Sequence, residues 1–238
     1  MGNNYFQFKQ FKIDQGQCAM KVTTEGCILG AFATANSPRR ILDIGAGTGL
    51  LALMLRQRYD CEVTALELNR SAYEQCQRNF SNSPWSDQLT AIHTDANEFV
   101  RSTKHVYDLI ISNPPFFARS LKSERHDKNL ARHEVSLSKS GLAYLLVNLL
   151  SNSGVAYVLY PEIEADQFSV ECQKSGMAIN DVLIIRNYAQ GPVFRKILKV
   201  SKNRSMDVIE KSELHIRQSN QDYTSDFIQL MKPYYLYL

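Results

Sequence analysis

Cysteines at metal-ligand or redox spacing are missing from this 238-residue chain. The five it has (Cys18, Cys27, Cys61, Cys76 and Cys172) are scattered and odd in number, with no C-x-x-C pair. A bound metal and a disulfide framework are therefore not expected, and a reducing, cytoplasmic compartment is. No apolar run approaches the ~20 residues that span a bilayer. The start, Met1-Gly2-Asn3-Asn4-Tyr5-Phe6, carries neither the charged region nor the apolar block of a signal peptide. A membrane partner is accordingly not expected. Repeats, low-complexity tracts and linkers are also missing. Charge of one sign is scarce: the net value is only +3, so a polyanionic partner must be argued from local clustering. Nothing in the composition separates monomer from dimer.

What is present suffices for one sizeable core, since 44% of the residues are hydrophobic. Residues 1–38 are expected to form an N-terminal extension or lid, and residues 39–238 the main domain. Residues 5–13 alternate aromatic or apolar residues with Gln and Lys, which predicts a strand or hairpin arm. Thr23 or Thr24 then caps a helix through Cys27 to Ala33, stopped by Asn36-Ser37-Pro38.

The chain is organised around Asp108-Leu109-Ile110-Ile111-Ser112-Asn113-Pro114-Pro115-Phe116-Phe117. An apolar, β-branched run predicts a buried strand. Two prolines cannot donate to a ladder and end it. An amide and aromatic rings are left at the strand's carboxyl end, where parallel α/β sheets bind ligands. An amide oxygen and a main-chain carbonyl can accept from an NH2 group while a ring stacks on its face. The expected catalytic set is Asn113, Pro114, Pro115 and Phe116, acting on a flat, amine-bearing substrate.

Three earlier strands end in related fashion. Ile41 to Ile44 enters Gly45-Ala46-Gly47-Thr48-Gly49, and an apolar helix follows. The glycines allow a tight turn and close approach to a ligand, and the new helix presents its N–H groups. The spacing is G-x-G-x-G, not the G-x-G-x-x-G of a dinucleotide site. Asp43 would repel a pyrophosphate and suits a cationic cofactor such as S-adenosylmethionine. Glu67 ends the second strand about 20 residues past the turn, where an acid takes ribose hydroxyls. Asp95 ends the third; it can accept from a cofactor adenine amine beside the Ala96 N–H, or cap the next helix.

Strand–helix alternation with short loops predicts an open, doubly wound, mostly parallel α/β sheet. Later strands are expected at residues 155–160, 178–187 and 194–201, which brings the sheet to seven. Ser151-Asn152-Ser153-Gly154 reads as a loop, the pair at 178–201 as a hairpin, and a short strand is expected near residues 213–217. Residues 118–133 carry Arg119, Lys122, Arg125 and Arg132 among few acids, a segment suited to a phosphate backbone. Arg195, Lys196 and Lys199 form a second candidate strip for RNA; lysines that protect a sheet edge are the alternative.

At this point the chain resembles a known group, the class I S-adenosylmethionine-dependent methyltransferases with an Asn-Pro-Pro-aromatic motif. Within it, the chain resembles the bacterial valine-tRNA adenine-N6 methyltransferases. The likeness lies in Phe8-Lys9-Gln10-Phe11, Gln15, residues 18–26, residues 41–49, Asn113 to Phe117, Ala131-Arg132-His133-Glu134 and Tyr223 to Phe227 with the aromatic tail. Thr24-Glu25-Gly26 departs from the family's usual Thr-Asp-Gly, and Asp43-Ile44-Gly45-Ala46-Gly47 from Asp-Ile-Gly-Thr-Gly. Both changes keep charge or small size. The resemblance implies a Rossmann-like fold and transfer of a methyl group to adenine N6, at adenosine 37 of a valine tRNA. It implies S-adenosylmethionine held by Lys21, Thr24, Asp43, Gly45, Gly47, Gly49, Glu67, Asp95, Ala96 and Asn113, and a cytoplasmic enzyme. Competing expectations are a protein-glutamine N5-methyltransferase, whose carboxamide acceptor poses the same chemistry, and a non-catalytic RNA-binding protein. The former usually carries a helical domain before the glycine strand, where this chain has only about 40 residues.

Overall fold

The computed structural model describes residues 3–17, 20–115, 137–203 and 209–238. The chain opens with an antiparallel hairpin, β1 (Tyr5–Gln7) and β2 (Lys12–Asp14), followed by α1 (Thr24–Phe32). Strand and helix then alternate through β3 (Arg40–Ile44), α2 (Leu50–Arg58), β4 (Glu62–Glu67), α3 (Arg70–Ser81), β5 (Leu89–His93), α4 (Ala96–Ser102) and β6 (Tyr107–Ser112). Next come α5 (Lys139–Leu149), β7 (Leu150–Tyr160), α6 (Glu162–Lys174), β8 (Ala178–Arg186), β9 (Val193–Ser201), β10 (Glu210–His215) and α7 (Ser225–Met231).

Strands β3 to β10 form one eight-stranded sheet in the order β10-β8-β9-β7-β6-β3-β4-β5. Only β9 runs antiparallel to its neighbours; every other pairing is parallel. The eighth strand is β10, which overlaps the short strand expected near residues 213–217 and borders β8. The chain steps outward from β3 through β4 to β5, then returns to β6 on the other side of β3. That reversal of strand order falls between β3 and β6, and in such sheets ligands bind at the carboxyl ends of the strands beside it.

Period-2 alternation divides the strands between two cores. Ile41, Leu109, Ile111, Tyr157 and Ile197 face one layer with Leu29, Leu53, Met54 and Phe80. Leu42, Ile110, Val158 and Leu198 face the other with Leu146 and Phe168. Each such side chain removed from water contributes about 1.5–3 kcal/mol before entropy is counted. Asp43 points the same way as Ile41, towards α2. Phe8, Phe11 and Ile13 of the hairpin belong to the first core, with Phe11 edge-on to the lone Trp85. The expected strand arm at residues 5–13 is thus a hairpin packed on the body. Lys9 ties it to the C-terminal tail by donating to the carbonyls of Lys232 (2.6 Å) and Leu238 (2.9 Å).

Two local expectations change. Residues 151–154 are not a loop but part of β7, whose register against β6 shifts between Tyr107↔Leu150 and Leu109↔Val155. A Cβ at Gly154 would meet the Tyr107 carbonyl at 2.7 Å, so glycine is what lets the strands close there. Strand β9 lies between β7 and β8, so its lysines protect no edge. Cys27, Cys61, Cys76 and Cys172 are buried. No helix among the described residues is long and apolar enough to cross a membrane.

Candidate active site

The glycine turn follows β3 directly. Gly45, Gly47 and Gly49 all take positive φ (76°, 56° and 81°), a region that costs any residue with a Cβ. The first two N–H groups of the turn, at Gly45 and Ala46, donate to the Leu66 carbonyl at 2.9 and 3.0 Å. Gly47 N–H donates to Glu67 Oε2 and Asn69 N–H to Glu67 Oε1, each at 2.8 Å. Glu67 is therefore oriented by one main-chain donor on each oxygen, beside the turn.

Gly49 is the N-cap of α2 and offers no side chain to cap it. Asp43 fills that role from β3: its Oδ2 accepts from Ala52 N–H at 3.2 Å. The residue is fully buried, and Oδ1 has no partner. Burial pushes the carboxyl up from 3.8 to about 7, the Ala52 bond opposes this, and the nearby Glu67 charge adds to it. A buried carboxylate with one oxygen unpartnered, under a glycine turn, is suited to a positively charged neighbour.

Strand register sets the rest in a row. Ile44 pairs with Ser112 on one side and Leu66 on the other, and Glu67 pairs with His93. Gly45, Asn113 and Glu67 thus emerge at one level, with Asp95 just beyond. Ser112 Oγ donates to the Ile44 carbonyl at 2.7 Å, locking β6 to β3 beside the turn. Asn113 follows at once, with Pro114 buried and Pro115 exposed. Asn113 Oδ1 is buried and unpartnered, while Nδ2 lies 3.8 Å from Met20 Sδ. A Cβ at Gly26 would stand 3.9 Å from Asn113 Nδ2. The first turn of α1 therefore flanks the amide, and the site has an unused acceptor where an amine can dock.

Of the other expected site residues, Thr24 is the first residue of α1, and the cap is Thr23, whose hydroxyl accepts from Gly26 N–H. The Thr24 hydroxyl meets Tyr235, a phenol that burial raises above its usual range. Lys21 is exposed just before it. Asp95 caps α4: its Oδ1 accepts from Asn97 N–H at 2.6 Å, and Ala96 opens the helix. His93 is satisfied by the Leu68 carbonyl (2.9 Å) and stacks on Tyr73. Arg195, Lys196 and Lys199 are not one strip, because alternation along β9 turns Lys196 to the opposite face. Lys196 pairs with Asp166 (2.9 Å) and Glu162 (3.3 Å), whereas Arg195 faces Glu25 (3.6 Å) and Lys199 lies over the Tyr157 ring. Phe116, Arg119, Lys122, Arg125 and Arg132 lie outside the described residues. Nothing in the mixed run 18–26 or in Thr24-Glu25-Gly26 says that Met20 and Gly26 will lie beside the Asn113 amide. Among the described residues no group of His, Cys, Asp and Glu could hold a metal ion.

Comparison with known proteins identifies the family. A family model described as "Methyltransferase small domain" matches residues 23–155. A tRNA1(Val) (adenine(37)-N6)-methyltransferase of Christiangramia forsetii is 39% identical, with both chains covered over 100% of their length. One of Trichodesmium erythraeum is 36% identical, with 99% of each chain covered. Among solved structures, a predicted O-methyltransferase, Atu636 of Agrobacterium tumefaciens, superposes with a TM-score of 0.67 at 15% identity, covering 87% of this chain and 95% of that one. TYW2 of Pyrococcus horikoshii, solved in complex with MeSAdo, gives a TM-score of 0.54 at 16% identity, covering 81% and 68%. At such identity these two speak for the fold alone, that of the class I methyltransferases. On full-length identity of this kind, the chain belongs to the tRNA1(Val) (adenine(37)-N6)-methyltransferase family of the small-domain methyltransferases.

Proposed function

We propose that the chain transfers the methyl group of S-adenosylmethionine to the exocyclic N6 of adenine in tRNA, at adenosine 37 in the anticodon loop of a valine tRNA. The observation that carries this is Asn113-Pro114-Pro115 at the end of β6, level with the glycine turn, its amide oxygen buried and unpartnered. A tRNA substrate implies the cytoplasm. Before β3 the described residues form a hairpin and one helix, whose first turn flanks Asn113.

We assign the cofactor to the row of strand ends. Gly45, Gly47 and Gly49 let the backbone approach it, Glu67 offers carboxylate lone pairs to ribose hydroxyls, and Asp43 offers negative charge beneath. Lys21 and Thr24 close the N-terminal side, with Asp95 and Ala96 on the far side. The cofactor supplies a methyl group already activated by its sulfonium. The protein's task is therefore alignment and exclusion of water.

The adenine N6 lone pair is delocalised into the ring, and donation from N6 to Asn113 Oδ1 and the Pro114 carbonyl would favour a pyramidal nitrogen. Phe116 would stack on the extruded base, worth roughly 1–3 kcal/mol. An anticodon loop is already partly unstacked, which lowers the cost of extrusion. No strong base is needed, since the proton becomes acidic only after transfer. We assign phosphate contacts to Arg119, Lys122, Arg125 and Arg132, and to Arg195 and Lys199 on β9. The test is Asn113→Ala: methyl transfer to tRNA should be abolished while S-adenosylmethionine still binds. Near-normal turnover would refute the role of the amide.

A further inference from the structure

Helix α3 forms the back wall of the glycine turn. Cys76, Asn79 and Phe80 share one face at i, i+3 and i+4. A Cβ on Gly49 would lie 2.6 Å from the Phe80 ring and 2.9 Å from Cys76 Sγ, so turn and helix touch with no space between. Asn79 sits in that contact with 1% of its surface exposed. Its Nδ2 donates to the Thr48 carbonyl inside the turn at 2.8 Å and to the Asp14 carbonyl at 2.9 Å. Its Oδ1 accepts from Asp14 N–H at 3.0 Å. One buried amide thus clamps the end of β2 to the middle of the turn.

The next residue extends the connection. Gln15 is also buried; its Oε1 accepts from Val22 N–H at 2.8 Å, and its Nε2 donates to the Asn3 carbonyl at 3.0 Å. Val22 precedes Thr23, the cap of α1, whose first turn carries Gly26 against Asn113. Two side chains therefore join the glycine turn to the segment flanking the amide, around the outside of the sheet.

We infer that Asn79 is a positioning residue that couples the glycine turn to the N-terminal segment, so that filling the turn and holding Asp14, Gln15 and Val22 in place favour one another. This rests on the assignment of the turn as the cofactor's seat. Coupling of this kind is reciprocal: whatever tightens one end tightens the other by the same factor. A purely structural Asn79 would lower the melting temperature and leave cofactor affinity alone.

The experiment is calorimetric titration of S-adenosylmethionine into wild type, Asn79→Leu, Asn79→Asp and Gln15→Leu, with amide hydrogen exchange followed on wild type and Gln15→Leu. Asn79→Leu removes all three bonds and should weaken binding about tenfold. Asn79→Asp keeps the acceptor for Asp14 N–H but turns a carboxylate on two carbonyls, and should weaken it at least as much. Gln15→Leu cuts only the link to Val22 and should weaken binding by about threefold, less than Asn79→Leu does, because by the same reciprocity a loosened Val22 costs part of the affinity. In wild type the cofactor should slow exchange at Asp14 and Val22; in Gln15→Leu only the Asp14 gain should remain. Asn79 variants that melt lower but bind with wild-type affinity would overturn the inference. So would a wild type that binds the cofactor with no change at Asp14 and Val22, a readout that does not depend on any variant folding. A wild type that binds no S-adenosylmethionine would instead refute the cofactor assignment, and this inference with it.

Discussion

Replacing Asp43 with Asn should make the empty protein more stable and the cofactor complex weaker, and both effects should depend on pH. The carboxyl is fully buried, with a folded-state pKa of about 7 against an ordinary 3.8. A carboxyl raised on folding is stable in its protonated form. Its contribution is fully present at low pH and is lost as pH rises from near 4 through 7. Ionising it in the empty site then costs about 4 kcal/mol, from roughly three pKa units at 1.36 kcal/mol each. Asn removes that cost and its Oδ1 can still accept from Ala52 N–H. Its NH2 replaces the unpartnered Oδ1 and leaves a buried donor unsatisfied, a penalty of about 1–3 kcal/mol.

The absolute gain is therefore a difference of similar terms, but its pH dependence is not. The penalty on the amide is constant, whereas the wild-type cost grows by about 3 kcal/mol between pH 5 and pH 8. For a chain of this length that is a widening of the melting-temperature gap by about 6–12 °C. Thermal melts of both proteins without cofactor, at pH 5 and pH 8, measure it. At pH 8 the variant should also bind S-adenosylmethionine about 10–100-fold more weakly, the range for losing one charge-assisted contact. A gap that stays constant with pH would show that Asp43 titrates normally and serves only as a cap for α2.

Glu67→Ala removes the partner of two main-chain donors at the turn, and should weaken cofactor binding by about 10-fold or more while lowering stability by about 1–3 kcal/mol; titration and melting separate the two. Gly49→Ala combines a φ of 81° with a Cβ 2.6 Å from the Phe80 ring, and should destabilise by about 2–4 kcal/mol, read from denaturant midpoints. Lys196→Met should cost about 1 kcal/mol of stability through the lost Glu162 and Asp166 pairs and leave tRNA binding unchanged. Arg119→Ala and Arg125→Ala should each raise the KM for tRNA and flatten its dependence on salt by about one ion, with unchanged melting temperature.

Two kinds of information were needed to assemble this site, and only one of them is local. Asp43, the glycine turn, Glu67, Asp95 and Asn113 each follow a short apolar run, so the sequence marks them as strand ends. Parallel pairing then does the rest: Ile44 opposite Ser112 and Leu66 brings residues far apart in the chain to one level. The other kind is pairing between elements. Nothing near Asn79 announces that its amide will meet both Thr48 and Asp14, and nothing near Met20 says that its sulfur will lie by an amide 93 residues away. Such contacts depend on the angle at which α3 and the N-terminal hairpin dock, which periodicity does not encode.

On β9 the density of positive charge is legible in the sequence, but alternation along the strand turns Lys196 away from Arg195 and Lys199. Residues 151–154 looked like a loop because serine, asparagine and glycine favour turns in isolation. Pairing with β6 overrode that preference, and Gly154 proved useful to a strand through its lack of a side chain. The same distinction decides where variation should matter in this fold. Substitutions at strand ends remove groups that we assign to the ligand and should register in binding or turnover. Substitutions such as Asn79→Leu act on how two elements are held together. Their signature should be a loss of cofactor affinity accompanied by loosening at Asp14 and Val22, which that amide and Gln15 join to the turn.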